Sequence, residues 1–341
     1  MEPEPINSNW IEISVVIPVR DEENSVRALL EAVLRQTLPP KEIVITDGGS
    51  IDSTKEIVEE FIRAGAPVKL IREKAALPGR GRNVGVQNSN CEWIAFTDGG
   101  NRPAPDWLEA LAEKVDGGSV VDVVYGSYEP VVDSFFKECA AIAYLTPPVE
   151  VEGVFARSQF IASTLIRRKV WETVKGFPED LRSAEDLLFM QKIERAGFRT
   201  ARAPRAVVYW SIQPTLWRTF KRFVTYARNN IRAGLWRQWQ APIFQRYAVI
   251  APSFVPAVFF GVKWFVVPIV LWFCLLVARA GLALRRNRRS YPASHARNLL
   301  RLLLLVPIIA TLDAAALLGS INWLLFDKLR LGGARRNHDP Q

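Results

Sequence analysis

Two short runs of this chain read almost alike: TDGGS at residues 46–50 and TDGGN at residues 97–101. Each follows a hydrophobic run that is typical of a buried strand, EIVI in the first case and WIAF in the second. A carboxylate at the carboxyl end of a strand, followed by two glycines, lets a ligand approach the backbone closely. Two such strand ends in one sheet predict a nucleotide site.

The segments around these runs predict an α/β fold with a mostly parallel sheet and helices on both of its faces, because strands alternate with helices at short spacing. The predicted strands are Ile13–Pro18, Glu42–Thr46, Val68–Ile71, Trp93–Phe96, Val120–Tyr125, Phe160–Ile166 and Val207–Trp210. The predicted helices cover about Asn24–Arg35, Trp107–Lys114 and Ser183–Ala196, and another begins at a capping box of Ser53 and Glu56.

The composition narrows the chemistry that this chain can perform. Both histidines, His295 and His338, lie late in the chain, so histidine chemistry is excluded from the first half. The cysteines Cys91, Cys139 and Cys274 are far apart and have no metal-binding or redox spacing. The formal net charge is +9, but the basic residues crowd around the apolar runs. That distribution favours membrane lipids with anionic headgroups as partners and argues against nucleic acid.

A basic amphipathic helix is predicted within residues 213–245. Its apolar residues recur at helical spacing from Trp217 to Leu235, and arginines and lysines occupy the neighbouring face. This pattern is typical of a helix that lies in a membrane interface. An ordinary surface helix docked on the first domain is the alternative.

A transmembrane region is predicted at 246–326. The nearly continuous apolar run from Tyr247 to Leu284 would measure roughly 57 Å as one helix, about twice the hydrocarbon thickness. We therefore expect two segments with a break between Phe260 and Pro268. The predicted organisation is a catalytic domain at 11–212, an interfacial region at 213–245, apolar segments at 247–262, 264–284 and 299–326, and a basic tail at 327–341.

The basic residues beside the apolar run indicate its orientation. They are Arg237 and Arg246 before it, and Arg285, Arg286, Arg288 and Arg289 after it. The positive-inside rule therefore places both ends in the cytoplasm, as in a hairpin. The third segment is also followed by basic residues, which conflicts with an odd number of spans, so a re-entrant last segment is the alternative to a third span.

Five strings, in this order, resemble family 2 glycosyltransferases of the GT-A fold. They are VVIPVRDEE, EIVITDGGSIDST, GRGRNVGV, IAFTDGGNRPAPDWLE and GFPEDLRSAEDLLF. The resemblance covers roughly residues 11–210, and the C-terminal apolar segments resemble the membrane-anchored members of that family. It implies a GT-A (nucleotide-diphospho-sugar transferase) fold, a hexosyltransferase-type activity and a nucleotide-sugar donor.

The first string places polar side chains where open α/β sheets bind ligands, at the carboxyl edge. Pro18 ends the first strand, and the resemblance implies that the loop with Arg20 and Glu22 touches the nucleoside, Glu22 near the ribose or base. Asp21 stands where the family usually has Asn. A solvated, charged turn is the alternative.

The next two strings predict contacts to the base and the phosphates. Asp47 can accept the imide N–H of uracil or thymine, which favours a UDP-sugar; an acidic turn residue is the alternative. Arg82 is a fixed cation with several donors and suits phosphate.

Asp98 occupies the first position of the family's D-x-D motif. The resemblance implies a divalent cation, Mg²⁺ or Mn²⁺, that Asp98 holds against the donor's diphosphate. Gly100 stands in place of the second acid, and Asn101 is the next residue that offers an oxygen.

Glu185 and Asp186 resemble the family's E-D pair. The resemblance implies that Asp186 is the general base that deprotonates the acceptor hydroxyl, with inversion at the anomeric carbon. Acids in the first turn of a helix that Ser183 caps are the alternative, because the helix dipole favours them there.

We therefore expect a multi-pass enzyme of the cell inner (plasma) membrane, with its catalytic domain in the cytoplasm. It transfers sugar to a lipid-linked or other glycan acceptor, as in cell-envelope polysaccharide biosynthesis. A catalytically weak, GT-A-like nucleotide-sugar-binding scaffold is the first alternative, suggested by Gly100. A transporter is the second, suggested by Lys263 and Asp313 inside apolar segments.

Overall fold

The computed structural model describes residues 10–116 and 120–329. The chain forms two compact units. The first contains the chain up to Pro130 together with Pro148–Ser211, and the second contains Val131–Pro147 together with the chain from Ile212 onward. The segment Val131–Pro147 therefore belongs to the second unit, although it lies within the residues predicted for the catalytic domain, 11–212.

Ten strands and thirteen helices occur in the described residues. The strands are β1 Ile13–Val19, β2 Glu42–Asp47, β3 Val68–Arg72, β4 Trp93–Phe96, β5 Asn101–Pro103, β6 Val123–Val131, β7 Val149–Val151, β8 Val154–Ala156, β9 Thr164–Arg167 and β10 Thr200–Ser211. The helices are α1 Val26–Leu34, α2 Thr54–Arg63, α3 Pro78–Gln87, α4 Trp107–Asp116, α5 Phe135–Tyr144, α6 Arg168–Thr173, α7 Glu185–Arg195, α8 Leu216–Arg232, α9 Trp236–Trp239, α10 Ala241–Ile250, α11 Val255–Phe260, α12 Val266–Arg286 and α13 His295–Asn322.

The first unit is built on an eight-stranded sheet of order β3-β2-β1-β4-β9-β6-β10-β5. Strands β3, β2, β1 and β4 pair in parallel, whereas β9 pairs antiparallel with both β4 and β6, and β10 with β5. The predicted α/β class is confirmed. The parallel half carries the two TDGG runs at the ends of β2 and β4, on either side of β1, so both runs lie at one edge of the sheet.

An aromatic cluster fixes α7 beside β4. The rings of Phe177 and Phe189 stack with centroids 3.7 Å apart, and Phe96 meets both edge-on at 5.4 and 6.5 Å. All three side chains are buried. Since Phe96 is the residue before Thr97, this packing fixes the start of α7 close to the end of β4.

The local structure differs from the prediction at two places and contains one helix for which no element is predicted. Ser53 makes no side-chain cap hydrogen bond at α2, because Asp52 instead accepts from the N–H and hydroxyl of Thr54. The predicted strand Phe160–Ile166 begins with a single 3-10 turn, and only Thr164–Arg167 pairs in the sheet. The run GRGRNVGV, for which no element was predicted, forms helix α3.

The second unit consists of helices. A buried cluster joins α5, α12 and α13 through Cys139, Ile142, Leu276, Ala280, Leu305, Ile308 and Ile309. Between α11 and α12 the chain turns at Gly261, whose φ of +98° lies in the region that favours glycine. This turn lies within the interval predicted for the break.

Three helical segments of this unit are long and apolar enough to cross a membrane: Ala241–Phe260, Val262–Arg286 and His295–Lys328. They overlap the three predicted apolar segments. Asp313, which suggested a transporter, accepts hydrogen bonds from Arg279 and Tyr247 within the helical unit. The predicted basic tail lies outside the described residues from Arg330 onward.

Candidate active site

The predicted site residues converge on the carboxyl edge of the parallel strands. Pro18 lies near the end of β1, Asp47 ends β2, and Asp98 follows β4. Strand β1 pairs in parallel with both β2 and β4, so the three strand ends are adjacent. The sheet therefore brings together residues that the sequence separates by up to 80 positions.

The loop after β1 is cross-linked to the loop after β2. The N–H of Asp21 donates to Ser50 Oγ at 2.9 Å, and Asp21 Oδ1 accepts from the N–H of Ile51 at 2.8 Å. Asp21 has a φ of 55°, in the left-handed region where Asp and Asn are the best tolerated residues other than glycine. This explains why Asp can stand in place of the family's Asn: it provides the same backbone conformation and an acceptor oxygen.

The carboxylate of Asp47 is used by its own turn. Its oxygens accept from the N–H of Ser50 at 3.0 Å and of Gly49 at 3.3 Å, and also from Ser50 Oγ. The side chain is 2% exposed. Asp47 therefore holds the glycine turn in shape, which is the structural alternative considered for it above.

Helix α3 lies directly on the strand ends because of its glycines. A Cβ at Gly81 would lie 2.9 Å from Pro18 Cβ, and one at Gly85 would lie 2.4 Å from Val16 Cγ1. Both distances are below any that packed side chains adopt. The glycines thus allow close helix–sheet packing, which delivers Arg82 to the edge of the sheet.

Arg82 joins two carboxylates that are distant in sequence. Its Nη2 donates to Asp98 Oδ1 at 2.7 Å and its Nη1 to Glu185 Oε1 at 2.8 Å. Its guanidinium lies 5.3 Å from the centroid of the Phe177 ring. Burial alone would lower the pKa of Arg82, but the charges of Asp98, Glu185 and Asp186 outweigh it and raise the pKa. Arg82 therefore stays a cation, and its two terminal nitrogens both hold carboxylates.

The E-D pair opens helix α7. Burial raises the pKa of Glu185 to about 7, and the neighbouring Asp186 charge adds to this, while Arg82 opposes it. Burial also raises the pKa of Asp186, against the opposing charge of Arg82. Asp186 is only half-buried and Glu185 is 4% exposed. Of the two carboxylates, Asp186 is the more exposed to solvent.

Ser183 does not cap this helix. The residue before α7 is Ala184, in the left-handed conformation at φ 71°, and no side chain caps the helix there. Ser183 Oγ is buried and has no hydrogen-bond partner in the described part of the chain. The alternative reading of the E-D pair as part of a Ser-capped helix start therefore loses its main support.

Buried polar atoms without a partner gather on the elements that meet at this edge. Within the described ranges they include Thr46 Oγ1, Arg82 Nε, Thr97 Oγ1, Asn101 Nδ2, Ser183 Oγ and Glu185 Oε2. Such atoms are rare in folded proteins and call for a partner from outside the chain, such as water or a ligand. Their concentration here supports a binding site for a polar ligand.

Glu22 supplies a carboxylate beside the position where the D-x-D motif lacks one. A Cβ at Gly99 would lie 2.9 Å from Glu22 Cγ, and one at Gly100 would lie 3.7 Å from Glu22 Oε2. The Glu22 side chain therefore lies over the two glycines that follow Asp98. The resemblance implies that Glu22 lies near the nucleoside, and no local sequence signal predicts its placement over these glycines. That placement arises from the pairing of β1 with β4.

These residues fit a divalent cation that is shared with a substrate. No group of three or more His, Cys, Asp or Glu side chains that could hold a metal occurs in residues 10–116 and 120–329. Mg²⁺ sites in phosphate-handling proteins commonly use one or two carboxylates together with substrate phosphates. Asp98 and Glu22 provide that donor set, whereas a metal cage made by the protein alone is not provided.

The mixed α/β sheet, with its parallel half and its helices, is the GT-A fold. Residues 14–158 match the family model described as Glycosyl transferase family 2. This stretch of the chain is therefore similar to the glycosyltransferases of family 2.

Relatives and a solved structure agree with this assignment. The chain is 31% identical over 192 residues to glycosyltransferase AglE of Haloferax volcanii, covering 54% of this chain and 62% of that protein. It is 28% identical over 195 residues to the poly(ribitol-phosphate) beta-N-acetylglucosaminyltransferase TarS of Staphylococcus aureus, covering 53% and 32%. The chain thus spans less than two thirds of the length of either relative.

The fold is similar to that of the mannosyltransferase PcManGT of Pyrobaculum calidifontis, solved in complex with GDP-Man and Mn²⁺. The TM-score is 0.54 at 20% identity, covering 94% of this chain and 89% of that one. This likeness supports the GT-A fold.

Proposed function

We propose that this protein is an inverting glycosyltransferase of the plasma membrane. It transfers a sugar from a nucleotide-sugar donor to a lipid-linked or cell-envelope glycan acceptor at the cytoplasmic face. The observation that carries the proposal is the bridge from Asp98 through Arg82 to Glu185, with Asp186 beside it at the sheet edge. This bridge joins the position expected for the donor's diphosphate to the position expected for the general base that deprotonates the acceptor.

The relatives support the substrate classes. TarS is named as a transferase of N-acetylglucosamine to poly(ribitol-phosphate), an envelope polymer, and PcManGT was solved with GDP-Man. We infer a UDP-sugar for this chain from the imide-accepting chemistry of a carboxylate at position 47. The uracil base would have to donate to Asp47 while this carboxylate also accepts hydrogen bonds from the N–H groups of its own turn.

Asp98 and Glu22 would hold Mg²⁺ or Mn²⁺ together with the donor's diphosphate. When bound, the cation neutralises the negative charge that develops on the leaving nucleoside diphosphate. Arg82 orients Asp98 by a charged hydrogen bond.

Asp186 serves as the general base. The acceptor hydroxyl oxygen forms a bond to the anomeric carbon as the bond from that carbon to the phosphate oxygen breaks, and Asp186 takes the hydroxyl proton. Attack from the side opposite the leaving group inverts the anomeric centre. A raised pKa makes the Asp186 carboxylate a stronger base than an exposed Asp.

The test is transfer by the purified full chain in lipid nanodiscs. A panel of UDP-sugars and GDP-mannose is offered with a polyprenyl-phosphate acceptor and Mn²⁺, and lipid-linked sugar is measured. We expect transfer from one donor, loss of at least about 100-fold in Asp186→Asn, the scale of general-base contributions, and full activity in Glu194→Gln, an exposed acid on the same helix. Unchanged turnover in Asp186→Asn would remove Asp186 from the mechanism.

Gly100 supports a second candidate function, a nucleotide-sugar-binding scaffold without turnover. Titration of the same donors by calorimetry separates the two. Tight donor binding with neither transfer nor hydrolysis under Mg²⁺ or Mn²⁺ would favour the scaffold.

A further inference from the structure

Helix α8 runs beside the second half of α13, in the same direction. Leu216, at the start of α8, packs against the buried cluster to which α13 contributes Leu305, Ile308 and Ile309. Further along, Gly319 touches α8 so closely that a Cβ there would lie 2.6 Å from the Cβ of Ala227. The two helices therefore share their course over most of the length of α8.

The ends of this helix pair are also joined. Arg228 Nε donates to Asp327 Oδ2 at 2.7 Å, just after α13, and Arg232 lies 3.9 Å from the same carboxylate. The parallel course continues to the last described turn of the chain. Because α8 lies alongside the second half of α13, these two segments must lie at the same depth in a membrane.

The charges of α8 decide which depth is possible. It carries five basic and no acidic residues: Arg218, Lys221, Arg222, Arg228 and Arg232. Arg218 and Lys221 are exposed, Arg222 is half-buried, and Arg228 and Arg232 lie beside Asp327. Counted back from the contact of Ala227 with Gly319 at about 1.5 Å per residue, Arg218 and Lys221 lie near the middle of α13. If α13 crossed the bilayer, these cations would face hydrocarbon near its centre, which is strongly disfavoured.

Helix α13 itself has one exposed apolar face along its entire length. The exposed residues are Leu299, Leu300, Leu303, Leu318, Ile321 and, just beyond the helix, Leu324. The three charged side chains of α13 point to other helices instead: Arg297 and Arg301 contact Glu138, and Asp313 contacts Arg279. Helix α13 therefore has one apolar side that a membrane surface can cover, and its charged groups are held by the neighbouring helices.

The hairpin of α10–α11 and α12 has the opposite character. Its arms meet at Gly261 and are joined by Trp272, which donates to the Tyr247 hydroxyl at 3.2 Å. Large apolar side chains are exposed on both arms, among them Val258, Phe259 and Ile269. From Arg279 to Lys263 the second arm measures about 24 Å. It approaches the hydrocarbon thickness, and the Lys263 ammonium at the tip can extend to the far headgroups.

We propose that only this hairpin enters the bilayer, and that α13 lies with α8 in the plane of the membrane surface, against anionic headgroups. The inference rests on the membrane location in the proposed function. It places the basic loop Arg285–Arg289 and the end of α13 at Lys328 on the same face. The basic flanks of all three apolar segments then lie on one side, as the positive-inside rule requires.

Sidedness is tested with the full chain in membrane vesicles of known orientation. Ser290→Cys, in the loop before α13, and Lys328→Cys, after it, are made separately in a Cys274→Ser background; Cys91 and Cys139 are buried. A membrane-impermeant maleimide should label both sites from the same face and neither from the other. The parent without either new cysteine is the control for background labelling. Labelling of the two sites from opposite faces would overturn the proposal, because a third span separates them.

Depth is tested by spin labels at Leu303, Ala314 and Ile321, along the exposed face of α13. Collision rates of the spin labels with oxygen and with a nickel chelate report their depth in the bilayer. We expect a similar, shallow depth at all three positions. A profile deepest near the middle of α13 would mean that it crosses. Val258 in the hairpin is the reference for a deep position.

The failure of this inference is distinct from the failure of the proposed membrane location. Release of the protein from vesicles by alkaline carbonate would contradict the membrane location itself and the inference with it. Retention with Lys328 on the far face would overturn the in-plane helix and leave the transferase at the membrane.

Discussion

Arg82 Nη1 donates a 2.8 Å hydrogen bond to Glu185 Oε1, across 103 residues of sequence, and both side chains are almost fully buried. Because the same guanidinium also holds Asp98, one side chain links helix α3, the end of β4 and the start of α7. The site is therefore a single charged network, and a change at one member is felt by the others.

Removing the Arg82 charge should destabilise the protein strongly. Arg82→Met removes the cation that pairs with the buried Glu185 and with the half-buried Asp98. Breaking a buried pair by removing one partner typically costs about 3–5 kcal/mol. The measurement is the free energy of unfolding of the full chain in detergent. Arg80→Met is the matched control on the same helix: Arg80 is partly exposed and pairs with Glu73 and Glu179, and its loss should cost less than about 1 kcal/mol. Equal losses in the two variants would contradict the buried network.

Glu185 should make stability depend on pH. Its pKa is about 7 in the folded protein, above the ordinary value of 4.5, and burial is the main cause. The folded state therefore favours the protonated carboxyl, so the stabilising contribution is complete below pH 4.5 and is lost as the pH rises to about 7. We expect Glu185→Gln to flatten the dependence of the unfolding midpoint over that window, whereas Glu194→Gln keeps the parental slope.

Glu22 should be exchangeable with an acid at position 100. Glu22→Gln is expected to weaken Mn²⁺ binding in the presence of UDP by about tenfold or more, the lower range for lost metal-site partners. Electron paramagnetic resonance of free Mn²⁺ measures this without any turnover. In that background Gly100→Asp should restore binding, since a Cβ at position 100 has only ordinary contacts, 3.7 and 3.8 Å from the Glu22 oxygens.

The control for this exchange is Glu23→Gln, because Glu23 is exposed and accepts a hydrogen bond from the N–H of Ser53 instead. It should leave Mn²⁺ binding unchanged. Failure of Gly100→Asp to restore binding, with the fold intact, would show that Glu22 does not act at the place of the missing acid.

A methyl group at Gly85 should displace α3 from the sheet. Gly85→Ala puts a Cβ 2.4 Å from Val16 Cγ1, and overpacking of this kind costs about 1–3 kcal/mol. Because α3 carries Arg82, activity at saturating substrate should fall as well, in a temperature range where the variant remains folded. Gly281→Ala, in a helix with no atom within 4 Å of the new Cβ, should leave both quantities unchanged.

The sequence predicted the first unit well where the signal was local. Trp93–Phe96 has the predicted bounds, and the other parallel strands differ by one residue, because continuous apolar runs bounded by turns indicate buried strands directly. Helix α3 was missed because two interior glycines are unfavourable for an isolated helix. Contact with β1 makes those glycines necessary, which is a tertiary effect.

The sequence also predicted one part of the candidate site and not the other. The positions of Asp47, Asp98 and Asp186 follow from local order, because each carboxylate stands at the end of a strand or the start of a helix. The roles of Asp98 and Asp186 are implied by the resemblance of their motifs to family 2 glycosyltransferases. Their partners do not follow from spacing. The choice of Asp98 and Glu185 for Arg82, the Glu22 carboxylate over Gly100, and the course of α8 beside α13 all depend on which distant segments pack together. Hydrophobic periodicity and strand ends are properties of neighbouring residues, so the sequence determines them by itself. Electrostatic partners and membrane depth depend on charges that are remote in sequence, and only the tertiary structure brings these into contact.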